Sequence, residues 1–223
     1  MKKKAVVLIS GGMDSLVTLA IASKDYEIYA LHADYRHRTE KKEHQAFEKI
    51  CNYYKVKQKL IIDLSFFGKI KGSALTDKKI KIPTNFSKSS NIPVTYVPFR
   101  NTILISIAVA WAESIEAEKI FIGAVEEDSS GYPDCREIYY KIFNELIKEG
   151  SRAGEKIKII TPLIHMTKAE IVKKGVELKV PFHLSWSCYS SSSKACGICD
   201  SCRLRLKGFY EAGIKDPLPY KKR

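Results

Sequence analysis

The sequence predicts an α/β fold in which a doubly wound parallel sheet carries a small C-terminal appendage. Short apolar runs rich in β-branched residues alternate with helical segments along most of the 223-residue chain. This alternation is typical of a parallel sheet that helices cover on both faces. After residue 182 the composition changes, and the chain becomes rich in serine and cysteine. We therefore divide the chain into a main domain at 1–182 and an appendage at 183–223.

The elements of the main domain follow from the apolar pattern in chain order. Short apolar runs predict buried strands at 5–9, 28–33, 60–64, 120–123 and 157–161. Helical spacing predicts helices at 13–23, 39–54, 102–117, 136–148 and from 166 onward. Thr167 is a suitable N-cap for the last of these helices, and Glu170 completes a capping box. The polar segment 68–95, rich in Lys, Ser, Asn and Pro, is expected to be a mobile insertion outside the core.

Charge and hydropathy narrow the class of protein. The chain has 38 Lys and Arg against 25 Asp and Glu, a formal net charge of +13, which favours anionic partners such as nucleotides or nucleic acid. The lysines are spread along the chain, so most are expected to form a solvated surface. No apolar run reaches the roughly 18 residues of a membrane span, and the first apolar run is too short for a signal peptide. We therefore expect a soluble, cytoplasmic protein with no membrane partner.

The turn after the first predicted strand has the sequence Ser-Gly-Gly-Met-Asp-Ser at 10–15. Its glycines permit positive φ and close approach of the backbone, so successive N–H groups and the positive end of the next helix can face an anion. The serine hydroxyls add donors, and Asp14 is expected to orient the loop or to reach Mg²⁺ held on the phosphates. An ordinary strand-to-helix turn is the alternative interpretation, which suits a bare glycine pair better than this complete string. With its flanking residues, the predicted phosphate site comprises Leu8, Ile9, Ser10, Gly11, Gly12, Met13, Asp14, Ser15 and Leu16.

The loop differs from the Walker loop and from the Rossmann glycine motif. It resembles the PP-loop of the N-type ATP pyrophosphatases, whose fold is of the adenine nucleotide alpha hydrolase-like type. In that superfamily the loop holds the β- and γ-phosphates of ATP while a substrate oxygen attacks the α-phosphate. The resemblance implies ATP with Mg²⁺ as co-substrate and the adenylation of a substrate oxygen, which turns a poor leaving group into a good one.

Four of the six cysteines form the pattern Cys-x₇-Cys-x₂-Cys-x₂-Cys, at Cys188, Cys196, Cys199 and Cys202. Four thiolates suit a tetrahedral Zn²⁺ with no open catalytic position, and Gly197 supplies a turn that lets neighbouring thiolates converge. An iron–sulfur cluster is the alternative, since four cysteines can bind either, and the short spacing around a glycine favours zinc. We predict one structural zinc ion per chain. The isolated Cys51 and Cys135 are expected to be inert.

Further strings lie in order between the loop and the end of the cysteine cluster. They are Val97-Pro98-Phe99-Arg100-Asn101, Asp128 to Arg136, Ser187-Cys188-Tyr189, and Cys202-Arg203-Leu204-Arg205 with Gly208-Phe209. Together with the loop they resemble the 7-cyano-7-deazaguanine synthase family over about residues 4–217. This resemblance implies an ATP-dependent carbon–nitrogen ligase that converts 7-carboxy-7-deazaguanine and ammonia to the nitrile through an activated carboxylate and an amide. It also implies a role in queuosine or archaeosine biosynthesis and a homodimer that does not require nucleic acid.

The resemblance assigns residues by position. It places two residues against ATP or the substrate carboxylate, Arg100 and Asn101. It places three in the deazaguanine pocket, Tyr132, Asp134 and Arg136. The residue types fit, because a carboxylate accepts hydrogen bonds from a guanine-like ring, an aromatic ring stacks on it, and cations neutralise a carboxylate beside a triphosphate. We predict catalytic roles for Arg100, Lys168 and Asp14. A solvated surface position is the alternative for Arg136 and Lys168.

The chain departs from the family pattern at three places. Phe99 stands where the family usually has a small residue, and Tyr35-Arg36-His37 stands where it has Tyr-Gly-Gln. Ser129 replaces a usual aromatic residue. These departures affect the expected shape of the adenine and substrate pockets rather than the loop or the metal site.

Two other functions fit parts of the sequence. A PP-loop tRNA thiolase or another adenylating ligase shares the loop, but a thiolase normally needs redox cysteines or a cluster near it, and here the four clustered cysteines are distant in sequence. A zinc-bearing nucleic-acid-binding regulator explains the charge of +13 and the cysteines. It leaves the phosphate loop and the string at 131–136 unexplained. The ligase therefore accounts for more of the sequence than either alternative.

Overall fold

The computed structural model describes residues 2–77, 79–82, 92–126 and 131–221, and these contain a single sheet of five parallel strands. In chain order the strands are β1 (Lys3–Leu8), β2 (Tyr26–Asp34), β3 (Gln58–Asp63), β4 (Lys119–Phe121) and β5 (Lys158–Ile160). The helices are α1 (Met13–Ser23), α2 (Glu40–Tyr53), α3 (Phe67–Ile70), α4 (Arg100–Ile115), α5 (Glu137–Gly150), α6 (Lys168–Glu177) and α7 (Asp200–Glu211).

The order of the strands places the phosphate loop at a crevice. Across the sheet the order is β3-β2-β1-β4-β5, so the chain winds outward from β1 through β2 to β3 and then crosses back to β4 and β5. The direction of winding reverses between β1 and β4, which pair from Ala5↔Lys119 to Val7↔Phe121. In open parallel sheets, ligands bind outside the carboxyl ends of the strands at this point of reversal. The loop at 10–15 follows β1 directly and therefore lies there.

Each face of the sheet has its own core, because successive side chains of a strand point to opposite faces. Ala5, Val7 and Ile9 pack with residues of α1, α2 and α6 on one face. Val6 and Leu8 pack with residues of α4 and α5 on the other. The central strand is thus buried on both sides, which explains why it reads as a continuous apolar run.

The predicted doubly wound α/β class is confirmed. The predicted strands all occur, with ends shifted by at most two residues. The capping box at the start of α6 is also present, with Thr167 and Glu170 exchanging hydrogen bonds. The long helix α4 begins at Arg100 rather than at residue 102, so Arg100 and Asn101 belong to its first turn. Among the helices of the described residues, none combines the length and the apolar character that crossing a bilayer requires.

The segment 68–95 differs from its prediction where it is described. Residues 78 and 83–91 lie outside the described residues, so the expected mobility of this stretch stays a prediction. Ser73, Ala74 and Leu75 are buried, and Leu75 packs in a cluster with Phe67 and Val97 beside the ends of β2 and β3. The segment is polar on average, so its short buried stretch does not stand out in the sequence. The expectation that the segment lies outside the core is therefore wrong for residues 73–75.

The C-terminal appendage packs tightly on the main domain through α7. A Cβ atom on Gly208 of α7 would lie 2.7 Å from Lys168 Cβ, so the absence of a side chain lets α7 rest against α6. Arg205 of the same helix is buried and forms an ion pair with Asp216, with Nε 2.8 Å from Oδ2 and Nη2 3.0 Å from Oδ1. Arg205 also donates to Ser185 Oγ at 2.8 Å. The ion pair with Asp216 and the bond to Ser185 brace the appendage internally. The contact of Gly208 with Lys168, and a hydrogen bond from Arg205 Nη2 to the Phe182 carbonyl at 3.3 Å, hold it against the sheet domain.

Candidate active site

A cavity opens at the carboxyl ends of β1, β2 and β4, where the winding of the sheet reverses. Its volume is about 280 Å³, and it adjoins a second cavity of about 250 Å³ with which it shares wall residues such as Ser10, Asp14 and Arg100. Nine of the eleven residues predicted for the nucleotide line the first cavity. The other two support it from behind: Gly11 backs onto α2, and Leu16 is buried in the core.

The phosphate loop is pre-formed by its own serine hydroxyls. Ser10 Oγ accepts a hydrogen bond from the Gly12 N–H at 3.2 Å and donates one to Ser15 Oγ at 3.2 Å. Ser15 Oγ donates in turn to the Gly12 carbonyl at 2.9 Å. Gly12 is the N-cap of α1, and no side chain of the described residues caps this helix. Its first N–H groups and its positive end are therefore available to an anion in the cavity.

Two close approaches of the backbone fix the position of the loop. Gly11 has φ +86°, and a Cβ atom there would lie 2.7 Å from the Glu43 carbonyl oxygen of α2. A Cβ atom on Gly123, just after β4, would lie 2.9 Å from the Asp14 carbonyl carbon and 3.0 Å from the Ser15 nitrogen. The start of α1 thus rests on the backbone that follows β4. Gly123 is a site residue that sequence reasoning missed, although a glycine directly after a buried strand was its visible signal.

Asp14 and Lys168 form an ion pair at the wall shared with the second cavity. Lys168 Nζ donates to Asp14 Oδ2 at 2.8 Å, and Lys168 is only 9% exposed. The solvated-surface alternative for Lys168 is therefore wrong. The second oxygen, Asp14 Oδ1, is buried and has no hydrogen-bond partner among the described residues. A buried, unpaired carboxylate oxygen is costly unless a cation or water satisfies it, and carboxylate oxygens suit Mg²⁺.

Arg100 presents a guanidinium with unused donor capacity. Its Nη1 donates to Tyr35 Oη at 3.2 Å, its Nη2 donates to Asn101 Oδ1 at 3.3 Å, and the group lies 5.5 Å from the centre of the Tyr35 ring. Burial lowers the pKa of Arg100, but the neighbouring Tyr35 and Asp134 outweigh it and hold the pKa above its ordinary value. Arg100 Nε is buried without a hydrogen-bond partner among the described residues. A permanent cation is thus held at the cavity wall.

The three residues predicted for the deazaguanine pocket separate into two groups. Asp134 is buried and lines the first cavity, and Tyr132 lines both cavities with its hydroxyl 2.6 Å from Thr95 Oγ1. Burial raises the pKa of Asp134, while Arg100 and the backbone N–H of Asn101 oppose the rise. Arg136 is exposed, and its Nε donates to the Pro133 carbonyl at 3.1 Å. The structure therefore does not bring Arg136 to the cavity, and Asp128, Ser129 and Ser130 of the same string lie outside the described residues.

The appendage supplies wall residues that sequence reasoning did not assign to the site. Trp186, Ser187 and Tyr189 line the first cavity, and the Trp186 N–H donates to the carbonyl of Gly11 at 2.8 Å. Trp186 Nε1 is buried without a hydrogen-bond partner among the described residues. Burial raises the pKa of Tyr189 far above its ordinary value, so its hydroxyl stays neutral. The string Ser187-Cys188-Tyr189 was the visible signal for Ser187 and Tyr189, and nothing in the spacing marked Trp186.

The isolated cysteines occupy different environments. Cys51 is buried in the core of the sheet face that α1 covers. Cys135 lines both cavities, so its environment is that of a site residue. Burial raises the pKa of the Cys135 thiol to about 12. The thiol is therefore neutral at physiological pH, and a neutral thiol is a weak nucleophile.

The four clustered cysteines are arranged as the ligands of one metal ion. The sulfurs of Cys188, Cys196, Cys199 and Cys202 all lie within 4.8 Å of one another. The Cys196 and Cys202 sulfurs are 3.9 Å apart, close to the edge of about 3.8 Å that a tetrahedron with zinc–sulfur bonds of about 2.3 Å requires. Backbone N–H groups of Cys196 and Cys199 donate to cysteine sulfurs at 3.3 Å, and Gly197 has φ +73° at the predicted turn. These contacts stabilise thiolates, so the site fits a bound metal.

Solved structures share this fold. The U34-tRNA thiolase NcsA from Methanococcus maripaludis, with its [4Fe-4S] cluster, is 15% identical with a TM-score of 0.50, covering 92% of this chain and 64% of that one. The NMN synthetase from Francisella tularensis is 13% identical with a TM-score of 0.50, covering 96% and 79%. At such low identity these likenesses show the fold alone. They support the α/β fold with a parallel sheet that the sequence predicted.

Sequence comparison identifies the family within this class. The model of the queuosine biosynthesis protein QueC family matches residues 4–213. A 7-cyano-7-deazaguanine synthase of Chloroherpeton thalassium is 56% identical over 219 residues, 98% of this chain and 97% of the relative. A second, of Chlorobaculum parvum, is 53% identical over 221 residues, 99% of this chain and 97% of the relative. The chain therefore belongs to the QueC family, as the motifs predicted.

Proposed function

We propose that the chain is a cytoplasmic, ATP-dependent ligase that converts 7-carboxy-7-deazaguanine and ammonia to 7-cyano-7-deazaguanine, for queuosine or archaeosine biosynthesis. One observation carries the proposal beyond the names of the relatives: three positive groups converge on one cavity. They are the uncapped start of α1, Arg100 at the start of α4 and Lys168 at the start of α6. A cation at a positive helix end costs stability. Lys168 is already paired with Asp14, so the start of α1 and Arg100 are the positive groups that remain for an anionic ligand.

ATP and the substrate carboxylate supply those charges. In the proposed reaction, the loop at 10–15 binds the β- and γ-phosphates, and Asp14 Oδ1 contacts Mg²⁺ on them. A carboxylate oxygen of the substrate attacks the α-phosphorus, pyrophosphate leaves, and Arg100 and Lys168 stabilise the negative charge that develops. Ammonia then displaces AMP and forms the amide. A second adenylation of the amide oxygen, followed by loss of AMP and of the proton on nitrogen, forms the nitrile.

The polar, aromatic wall of the cavity suits the deazaguanine ring. Asp134 is a buried acceptor for the ring N–H donors, and Tyr132 and Tyr189 are the aromatic residues that face the same space. Burial raises the pKa of Asp134, and hydrogen bonds donated by the ring would oppose that rise by stabilising the charged carboxylate. Small-molecule substrates thus account for the cavity without a nucleic-acid partner.

The cysteine cluster has a structural part in this proposal. Cys188, Cys196, Cys199 and Cys202 bind zinc, whose four thiolate ligands leave no open position for chemistry. Sulfurs within 4.8 Å of one another suit a single ion, whereas a cluster of several irons holds its cysteine sulfurs farther apart. Zinc therefore holds together the segment that contributes Trp186, Ser187 and Tyr189 to the cavity wall.

We also propose that the chain forms a homodimer through α5. Ile138, Ile142 and Leu146 recur every four residues along this helix and are 53%, 63% and 59% exposed. Such an apolar stripe is typical of an interface. Light scattering after size exclusion should give twice the chain mass, and Ile142→Lys should give the monomer mass. Lys148→Glu, an exposed position on another face of the same helix, is the matched control. A monomeric wild-type protein would contradict the proposal.

The activity is tested by incubation with ATP, Mg²⁺, ammonium and 7-carboxy-7-deazaguanine, followed by mass spectrometry for the nitrile. Omission of ammonium should leave the acid or its adenylate, and omission of ATP should leave the acid. If the acid returns unchanged while a sulfur donor labels tRNA, the thiolase alternative is correct and the proposal is wrong.

Lys168→Met provides the residue-level test. Methionine has a similar length without the charge, so kcat for nitrile formation should fall at least 100-fold while the fold persists. Lys173→Met, an exposed lysine on the same helix, is the matched control and should keep kcat within about twofold. Equal activities of the two variants would remove Lys168 from the proposed mechanism.

A further inference from the structure

A second group of potential metal ligands lies beside the cavity, where β2 faces α2. His32 and Asp34 are two residues apart on β2 and therefore point to the same face of the sheet. His44 reaches them from α2. His32 Nε2 lies 3.3 Å from Asp34 Oδ1, and His44 Nδ1 lies 3.1 Å from Asp34 Oδ2. One ligand atom from each residue fits within a span of 4.8 Å.

A hydrogen bond to the backbone decides which ring nitrogen of His32 carries the proton in the neutral ring. His32 Nδ1 lies 2.7 Å from the Ile9 carbonyl oxygen. A carbonyl oxygen only accepts hydrogen bonds, so Nδ1 carries the proton, and in the neutral ring Nε2 is a lone pair. His32 is 3% exposed, and Nε2 is buried without a hydrogen-bond partner among the described residues. A buried lone pair that faces a carboxylate oxygen is unfavourable, so either a second proton on the ring or a metal ion must lie between Nε2 and Asp34.

We propose that His32, Asp34 and His44 bind a divalent transition-metal ion of the zinc type. Two imidazoles and one carboxylate form a donor set that zinc accepts, with water completing the coordination. The hydrogen bond from His32 to a backbone carbonyl is the orienting contact that metal-bound histidines usually make. The His32 ring is also stacked on Phe47 with 4.6 Å between ring centres, so it is held in place before a metal arrives.

The same site is open on one side. The side chains of Asp34 and His44 are 27% and 36% exposed, which provides an entry path for the ion. The bound ion would tie β2 to α2. This helix supplies Glu43 to the cavity wall and the carbonyl group against which Gly11 packs. Metal binding would therefore brace the helix behind the phosphate loop, and this inference does not depend on the proposed reaction.

Zinc titration of the protein with its cysteine site already loaded tests the inference. Elemental analysis and calorimetry should detect one zinc ion per chain beyond that site, and added zinc should raise the melting temperature. Asp34→Asn and His44→Ala should weaken this second binding at least tenfold. Asp63→Asn, at the position that pairs with Asp34 across the sheet, and His165→Ala, an exposed histidine elsewhere, should leave it unchanged.

A second measurement uses the unaltered protein and is therefore informative even if a variant misfolds. Zinc should slow the modification of His44 by diethyl pyrocarbonate, mapped by mass spectrometry, without slowing that of His165. If no second zinc binds, or if it binds equally in Asp34→Asn and His44→Ala, the site does not exist. Equal reactivity of His44 with and without zinc would lead to the same conclusion.

Discussion

Replacing Gly123 by alanine tests whether the backbone after β4 positions the phosphate loop. The added Cβ atom would lie 2.9 to 3.0 Å from the carbonyl carbon and oxygen of Asp14 and from the Ser15 nitrogen. All three are backbone atoms at the start of α1, so a rotamer change cannot relieve the contact. Overpacking of this kind costs about 1–3 kcal/mol, which in a chain of this size lowers the melting temperature by roughly 2–4 °C per kcal/mol.

Gly123→Ala should weaken ATP binding by more than partial unfolding of the variant can account for. The start of α1 must move away from β4, and its N–H groups move with it. Each hydrogen bond to a charged group contributes about 1.5–3 kcal/mol, so losing one such bond weakens ATP binding roughly tenfold or more. Calorimetric titration with ATP and Mg²⁺, at a temperature where both proteins are folded, measures the effect.

Gly68→Ala is the matched control for Gly123→Ala. A Cβ atom on Gly68 meets nothing within 4 Å, and the residue lies in the short helix α3. The same chemical change should therefore leave ATP affinity unaltered and raise stability by about 0.5–1 kcal/mol, as alanine usually does in a helix. If Gly123→Ala melts and binds ATP like the wild type, the contact does not position the loop, and our account of it is wrong.

Three further predictions concern residues away from the loop. Arg205→Ala should lower the free energy of unfolding in urea by about 3–5 kcal/mol, because it leaves the buried Asp216 unpaired; a loss below 1 kcal/mol would contradict this. Cys199→Ser should purify with less zinc and a lower melting temperature, because a closed metal site contributes folding free energy; full stability without metal would argue against a structural role. Phe99→Gly should raise stability by up to about 1 kcal/mol, because Phe99 has φ +58° and is 64% exposed; a loss would show that the phenyl ring contributes contacts.

The local parts of the site could be predicted from the sequence because their chemistry is contiguous. The loop at 10–15 needs only a strand, two glycines and a helix in succession, and the metal site needs only four cysteines within fifteen residues. The capping box of Thr167 and Glu170 is equally local. In each case the residues that must meet in space are neighbours in the chain, so pattern and spacing suffice.

The parts that could not be predicted depend on distant contacts. Arg136 and Asp134 are two residues apart, yet Arg136 is exposed while Asp134 is buried and accepts a hydrogen bond from the Asn101 backbone of α4. Nothing in the spacing shows where the short helical turn at Pro133–Cys135 directs each side chain. Lys168 differs from Arg136, because it had a surface alternative and is buried. Its burial depends on Gly208, in a helix forty residues later in the chain. Burial decides which charged residues belong to the site, and tertiary packing sets burial.

The appendage is best understood as one wall of the site rather than as a separate unit. Its backbone donates to Gly11 in the phosphate loop, its side chains line the cavity, and its helix α7 buries Lys168. Lys168 in turn pairs with Asp14 of the loop. A continuous set of contacts therefore connects the four cysteines to the phosphate site. A metal ion bound by these cysteines would therefore act on the loop without touching it, by fixing the wall against which the loop is held.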